Sequence, residues 1–170
     1  MYGEELLERY KKGERLFDRN FFDHMNLSNM NLQKAVFIAS DFTYAILENT
    51  DLKYADFSDA NFEGATLKNA DLRFSNLFDA NLEYADLTNA DLTKTNMGNA
   101  ICIHTRFTGA KLIGANLKHN FIYKADFSDA DLTGANLEGA YLCGVNFKNA
   151  KLKNVNWKDA KIKKSKIPEF

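Results

Sequence analysis

The sequence has few of the residues from which catalytic and metal centres are usually built. It contains two cysteines and three histidines among 170 residues. His24, His104 and His119 do not fall at metal-ligand spacings with Cys102 and Cys143. A glycine-rich phosphate loop is absent, and serine, histidine and aspartate form no recognisable catalytic motif. We therefore predict a protein that is not an enzyme and that binds no cofactor and no metal ion.

The sequence also lacks an apolar run of membrane-spanning length. Its first residues, MYGEELLERYKKGE, have neither the basic start nor the apolar core of a secretory signal peptide. A chain of 170 residues is long enough to bury a sizeable core. These features predict a single soluble domain in the cytoplasm.

The sequence is dominated by a five-residue repeat. From Phe17 to Ile167 every fifth residue is apolar, and we call these residues the centres. The residue two places before a centre is usually Ala, and the residue directly before it is usually Asn or Asp. The stretch 65–92 shows the pattern clearly: ATLKNADLRFSNLFDANLEYADLTNADL. The repeat has no insertion, so one structural unit accounts for about nine-tenths of the chain.

A five-residue period fits neither a continuous α-helix nor a straight strand. On a helix, at about 100° per residue, the centres would drift by about 140° per repeat and cover every face. On a strand, an odd period would move successive centres to opposite faces. Each repeat must therefore contain a bend, with the small residue and the centre pointing inward. Short strands joined by corners predict a solenoid whose neighbouring coils pair edge to edge.

The phenylalanines indicate the length of one coil. Phenylalanines at centres recur every 20 residues, that is, at every fourth centre, and we call such a series a column. One further column consists entirely of leucine. A 20-residue coil stacks ring on ring, which is favourable, whereas a 15-residue coil would place Phe17 over Leu32. We therefore predict four repeats per coil. The columns are Phe17, Phe37, Phe57; Phe22, Phe42, Phe62; Phe107, Phe127, Phe147; and Leu32, Leu52, Leu72, Leu92, Leu112, Leu132, Leu152.

The units ADLRF, ANLEY and ADLTN resemble the pentapeptide repeat family, whose motif is A(D/N)LXX. This resemblance implies an all-β fold, a right-handed quadrilateral β-helix with four repeats in each coil. We assign residues 1–14 to an N-terminal helical cap and residues 15–170 to the β-helix. Cys102 is a centre and Cys143 points outward about two coils later, so both are predicted to be free thiols.

Residues 4–12 precede the repeat and are predicted to form an amphipathic helix that stops at Gly13. The acidic residues come first and the lysines last, as the helix dipole favours. Because the first coil of a solenoid has an exposed core, we predict that this helix covers it and that Phe21 packs beneath. A helix that binds a partner is the alternative.

One side of the predicted coil changes character along its length. Its early outward positions are polar, as at Asp41 and Glu63, but three later coils carry apolar or aromatic residues there. These residues are Ile101, Ile103, Phe121, Tyr123, Tyr141 and Cys143. Soluble monomers rarely expose such a cluster without a use, so we predict a protein-binding surface that forms a homodimer. The alternatives are scattered surface residues, or self-association through the carboxyl end, where Pro168 closes the repeat.

The net charge of −1 conceals an uneven distribution. Residues 41–100 contain 4 Lys or Arg against 11 Asp or Glu, and residues 144–170 contain 8 Lys against 2. Asp51, Asp71 and Asp91 stack in the acidic part of the predicted coil.

Two functions follow from the sequence. The first is an interaction scaffold for an unidentified protein partner and for a second copy. The second comes from the family resemblance, because some members are DNA mimics that bind DNA gyrase or topoisomerase IV. We expect neither direct nucleic-acid binding nor membrane association.

Overall fold

A computed structural model describes residues 3–165, so Ile167 and Pro168 at the end of the predicted β-helix lie outside the described residues. One helix comes first, and four short parallel strands follow much later in a single sheet of order β1-β2-β3-β4. The elements are α1 (Gly3–Lys11), β1 (Ile101–Ile103), β2 (Phe121–Tyr123), β3 (Tyr141–Cys143) and β4 (Lys161–Lys163).

The rest of the described chain forms regular coils that are held together by isolated parallel bridges. Each bridge joins residues 20 apart, as between Val36 and Asp56. The coils before residue 101 are joined by four such bridges each, and the later coils by three bridges and one pair of strands. The N–H of Phe37 donates to the carbonyl of Asp56 at 2.7 Å, and the N–H of Asp56 donates back to the carbonyl of Ala35 at 3.0 Å. The 20-residue coil predicted from the phenylalanine columns is therefore confirmed.

Each corner of the coil is made by the two residues that follow a centre. The second of them has a positive φ, for example 55° at Asn49 and 60° at Asp59. Asn, Asp and Gly adopt this left-handed conformation with the least strain, which explains their frequency at this position. A turn hydrogen bond closes most corners, as from the N–H of Ser40 to the carbonyl of Phe37 at 3.1 Å.

The core consists of the centres and the small residues two places before them. The phenylalanine rings stack along the coil axis, with centroids 5.2 Å apart for Phe37 and Phe57 and 4.9 Å apart for Phe42 and Phe62. Inward hydroxyls donate to backbone carbonyls, as from Thr50 to Leu27 at 2.9 Å. Within the described residues, no buried side-chain nitrogen or oxygen lacks a hydrogen-bond partner, as expected for a well-packed interior.

Helix α1 packs against the core, as its amphipathic sequence predicts. Leu6 is fully buried, and the hydroxyl of Tyr10 donates to the carbonyl of Gln33 at 3.0 Å. The prediction that Phe21 packs beneath the helix is wrong, because its side chain is 68% exposed. Phe21 directly precedes a centre, and that position points away from the core.

Candidate protein-binding surface

Strands β1, β2 and β3 place the six predicted site residues side by side on one face. The residues before the centres pair in register, Ile101 with Phe121 and Phe121 with Tyr141. The residues after the centres form a second row, which consists of Ile103, Tyr123 and Cys143. The centres between the two rows are fully buried. We call the six outward residues the apolar patch.

The apolar patch is open to solvent and internally ordered. Ile101 is 40% exposed and Phe121 is 43% exposed, and the other four residues are partly exposed. The rings of Phe121 and Tyr141 stack in parallel with centroids 5.3 Å apart and an interplanar angle of 3°. This stacking holds both side chains in place, so a partner would meet a preformed surface.

On this face regular strands begin at residue 101, where the residue before the centre is no longer Asn or Asp. In the three coils from Asp41 to Glu83 the residue before the centre accepts a hydrogen bond from the N–H two places later. The N–H of Thr43 donates to Oδ1 of Asp41 at 2.9 Å, and that of Glu83 donates to Oδ1 of Asn81 at 3.0 Å. Ile101 has no such acceptor, and β-branched and aromatic residues favour extended backbone. The regular strands and the apolar outward side chains therefore begin in the same coil, and the strands continue into β4, where the outward residues are lysines.

A neighbouring aromatic cluster extends the surface beyond the predicted residues. The rings of Tyr84 and His104 stack at 5.3 Å, and the His104 ring meets the edge of Tyr123 at 5.9 Å. Tyr84 is 56% exposed. Tyr84 and His104 occupy the corner position two places after a centre, which the repeat pattern predicts only to be a turn. Their separation by one full coil was the signal that could have identified the stack.

The side chains of the two cysteines point to opposite sides of the sheet that β1, β2 and β3 form. Cys102 is fully buried, and the amide of Asn120 donates to its sulfur at 3.9 Å, while Cys143 faces outward from β3. Burial raises the pKa of the Cys102 thiol to about 12, although the hydrogen bond from Asn120 acts in the opposite direction. Both cysteines are free, as predicted.

The stacked carboxylates Asp51, Asp71 and Asp91, which we call the acidic column, are largely neutralised by basic neighbours. The ammonium of Lys53 lies 3.0 Å from Asp51 and 3.5 Å from Asp71. The guanidinium of Arg73 contacts Asp71 at 2.6 Å. Partial burial raises the pKa of Asp71, but hydrogen bonds from Arg73 and the nearby positive charges outweigh it and lower the pKa overall.

Metal-binding and membrane-spanning features are absent from residues 3–165. No group of three or more His, Cys, Asp or Glu side chains could hold a metal ion there. The helix in this part of the chain is too short and too polar to cross a membrane.

Comparison with known proteins gives a consistent result. A family profile described as Pentapeptide repeats matches in 8 copies, over residues 22–53, 55–93, 85–119 and 123–160. No curated protein matches the sequence significantly. Among solved structures, HetL from the cyanobacterium Nostoc sp. strain PCC 7120 is 28% identical, with 97% of this chain and 79% of HetL covered and a TM-score of 0.74. HetL is described as a pentapeptide repeat protein involved in the regulation of heterocyst differentiation.

A second solved structure is more distant. QnrB1, a plasmid-mediated fluoroquinolone resistance protein, is 17% identical, with 91% of this chain and 87% of QnrB1 covered and a TM-score of 0.60. At this identity the likeness shows the fold alone. The profile and the coil geometry confirm the predicted right-handed quadrilateral β-helix. The chain belongs to the pentapeptide repeat family.

Proposed function

We propose that this protein is a non-enzymatic interaction scaffold that binds proteins, including a second copy of itself, through the apolar patch. One observation carries the proposal. On this face the outward positions are polar in the three coils from Asp41 to Glu83 and basic in β4, but the three consecutive coils between them carry six apolar or aromatic residues. A repeat protein presents rigid faces, so aligned substitutions on one face create a continuous binding surface.

The energy available from the patch suits a reversible contact. Removing apolar surface from water contributes about 25 cal/mol per Å², so six such side chains contribute several kcal/mol. The loss of translational and rotational freedom on association costs a similar amount. Phe121 lies at the centre of the patch, where binding energy usually concentrates, and is the expected anchor.

Replacing Phe121 with Glu tests this surface. We expect the unmodified protein to sediment as a concentration-dependent dimer and Phe121→Glu to sediment as a monomer, because a charge would be buried at the centre of the contact. Phe74→Glu is a matched control, since Phe74 is also 43% exposed and also stacks on a neighbouring ring, that of Tyr54. It lies outside the apolar patch and should leave the dimer intact.

Other results would overturn parts of the proposal. A Phe121→Glu variant that remains dimeric would exclude the patch as the self-association surface. The carboxyl end would then be the candidate, where Ile162 is 38% exposed and Trp157 is only partly buried, and Ile162→Glu would test it. An unmodified protein that stays monomeric at every concentration would exclude self-association altogether.

Binding to DNA gyrase or topoisomerase IV is the second candidate function. The acidic column favours it, because duplex DNA presents repeated negative charge along its axis and a protein with a similar row of charges could imitate it. The ion pairs of Lys53 and Arg73 reduce that charge and weigh against the candidate. We expect no inhibition in a supercoiling assay with purified gyrase at micromolar protein. A second acidic pair, Asp59 and Asp79, stands one coil apart at a neighbouring corner. If inhibition occurs and weakens when Asp71 and Asp79 are replaced by Asn, DNA mimicry is the better account.

A further inference from the structure

Opposite charges flank the apolar patch on the same face. One coil before β1 the outward positions hold Asn81 and Glu83, and Asn81 pairs directly with Ile101. One coil after β3, strand β4 places Lys161 beside Tyr141 and Lys163 beside Cys143. Within residues 3–165, neither Glu83 nor these two lysines form an ion pair. The face is thus an apolar centre between an acidic edge and a basic edge, and the charges at both edges are available to a second molecule.

Two copies can bring this face together about a two-fold axis in two ways. If the coil axes run parallel, each coil meets the same coil of the second copy, so Lys161 faces Lys163 of the other chain and like charges oppose. In the second way the two-fold axis runs along the direction of strand β2, at the level of Phe121, and the coil axes are antiparallel. The coil that contains Glu83 then meets β4 of the second copy. Glu83 then faces Lys163 at both ends of the contact.

We propose that the occupant of the apolar patch is a second copy of this chain, packed with antiparallel coil axes on a two-fold axis through Phe121. This inference rests on the proposed function and adds the orientation of the partner. Phe121 packs on Phe121 of the second copy, and Tyr123 packs on Tyr123 of the second copy. The two symmetric contacts between Glu83 and Lys163 select this orientation over the parallel one, because opposite charges attract where like charges would repel.

The side chains on either side of the axis fit this arrangement. Ile101 faces Tyr141 of the second copy, and Ile103 faces the smaller Cys143. The ammonium of Lys163 already lies 5.8 Å from the Tyr141 ring centroid, so the positive charge stands at the edge of the apolar surface.

The size of this contact predicts a weak dimer. Five coils at a spacing of about 4.8 Å and three residues across at about 3.3 Å each give a strip of about 24 Å by 10 Å. Stable interfaces bury about 800 Å² on each partner, which is more than this strip supplies. The small net free energy of association predicts dissociation at about millimolar protein concentration, so the dimer should form only in concentrated solution.

Charge reversal at the two edges tests the orientation by sedimentation equilibrium. Glu83→Lys and Lys163→Glu should each weaken the dimer by about tenfold, because each replaces two attractions with two repulsions. The double variant Glu83→Lys/Lys163→Glu restores opposite charges and should return to within about threefold of the unmodified protein. An equimolar mixture of the two single variants should form a heterodimer that is tighter than either homodimer.

Matched controls separate the pairing from an effect of net charge. Glu48→Lys and Lys148→Glu change the same charges on another face, where neither side chain has an ion-pair partner within residues 3–165. Both should leave the dissociation constant within about twofold. Raising the salt concentration should weaken the unmodified dimer and leave the Glu83→Lys homodimer unweakened.

The possible failures are distinguishable. If Lys163→Glu tightens the dimer and Glu83→Lys has little effect, the coil axes are parallel and the inference is wrong. If Phe121→Glu abolishes the dimer but no charge reversal at either edge changes it, the proposed binding surface stands and the orientation is wrong. If the unmodified protein is monomeric throughout, self-association and this inference both fail.

Discussion

At the scale of single residues, outward Asn and Asp side chains hold neighbouring coils together and support the corners. The amide of Asn96 donates to Oδ1 of Asn76 in the preceding coil at 2.8 Å. Its own Oδ1 accepts from the amide of Asn116 at 2.8 Å and from the N–H of Gly98 at 3.3 Å. Each side chain therefore links two coils and supports its own corner. This explains why the polar residue of the repeat recurs on every face of the coil.

The difference between the two thiols leads to a prediction at this scale. In a titration with a thiol-specific reagent at pH 8 and low protein concentration, one thiol per chain should react quickly in the folded protein. That thiol is Cys143, because Cys102 is fully buried and its pKa is raised to about 12, which leaves almost no thiolate.

Controls for the thiol titration are available within the same chain. Cys143→Ser should remove the fast reaction, and unfolding in guanidinium should expose both thiols of the unmodified protein. Two fast thiols in the folded protein would contradict the burial of Cys102 behind the apolar patch.

At the scale of elements, the repeats on one side form columns whose charges are coupled along the coil axis. Lys53 bridges Asp51 and Asp71, and Lys111 lies 3.9 Å from Asp91 in the preceding coil. These ion pairs cross between coils, so they add to the stacking of neighbouring coils. Each ion pair alone contributes little to stability because its side chains are partly exposed. The column therefore stabilises this face of the coil only as a network.

The lowered pKa of Asp71 predicts how this column responds to acid. A carboxylate whose pKa is lower in the folded state stabilises the fold above its unfolded pKa of about 3.9, and this contribution is lost as the pH falls through the folded pKa. Asp71→Asn should therefore reduce the free energy of unfolding by about 1 kcal/mol at pH 7. The difference from the unmodified protein should shrink as the pH is lowered from 5 to 2.5.

Urea unfolding followed by circular dichroism measures this effect. Asp79→Asn is the control, since Asp79 is an exposed corner residue with φ of 57°, a conformation that Asn accepts readily, and it has no ion pair within the described residues. Its effect should be small at every pH. A difference for Asp71→Asn that does not change with pH would show that its ion pairs do not contribute to stability.

At the scale of the whole molecule, the coils stack at about 4.8 Å each to a length of about 36 Å. Helix α1 packs at the amino-terminal end, and Trp157 and Ile162 remain accessible near the other end of the described chain. All faces are built from the same five-residue repeat, and apart from the regular strands β1–β4 on one of them they differ in their outward side chains. Self-association through the apolar patch would therefore create a pair of rods side by side, whereas association through the carboxyl end would create one longer rod.

The sequence alone was sufficient for the fold and for the membership of the apolar patch. A five-residue period with an apolar centre allows only a bent repeat, and the phenylalanine columns set the coil at four repeats. Once that register is known, the outward positions of Ile101, Phe121 and Tyr141 follow by counting. No long-range pairing had to be guessed, because each coil contacts only its neighbours.

Only the tertiary structure decided which side chains neutralise, cover or stack on one another. The sequence suggested an acidic surface at Asp71, but the reach and direction of Lys53 and Arg73 set its effective charge. Phe21 was misplaced and the stack of Tyr84 on His104 was missed for a related reason. The period of the sequence predicts whether a position points inward or outward. The neighbours that a long side chain contacts depend on its rotamer and on the local packing, and the period contains no information about either.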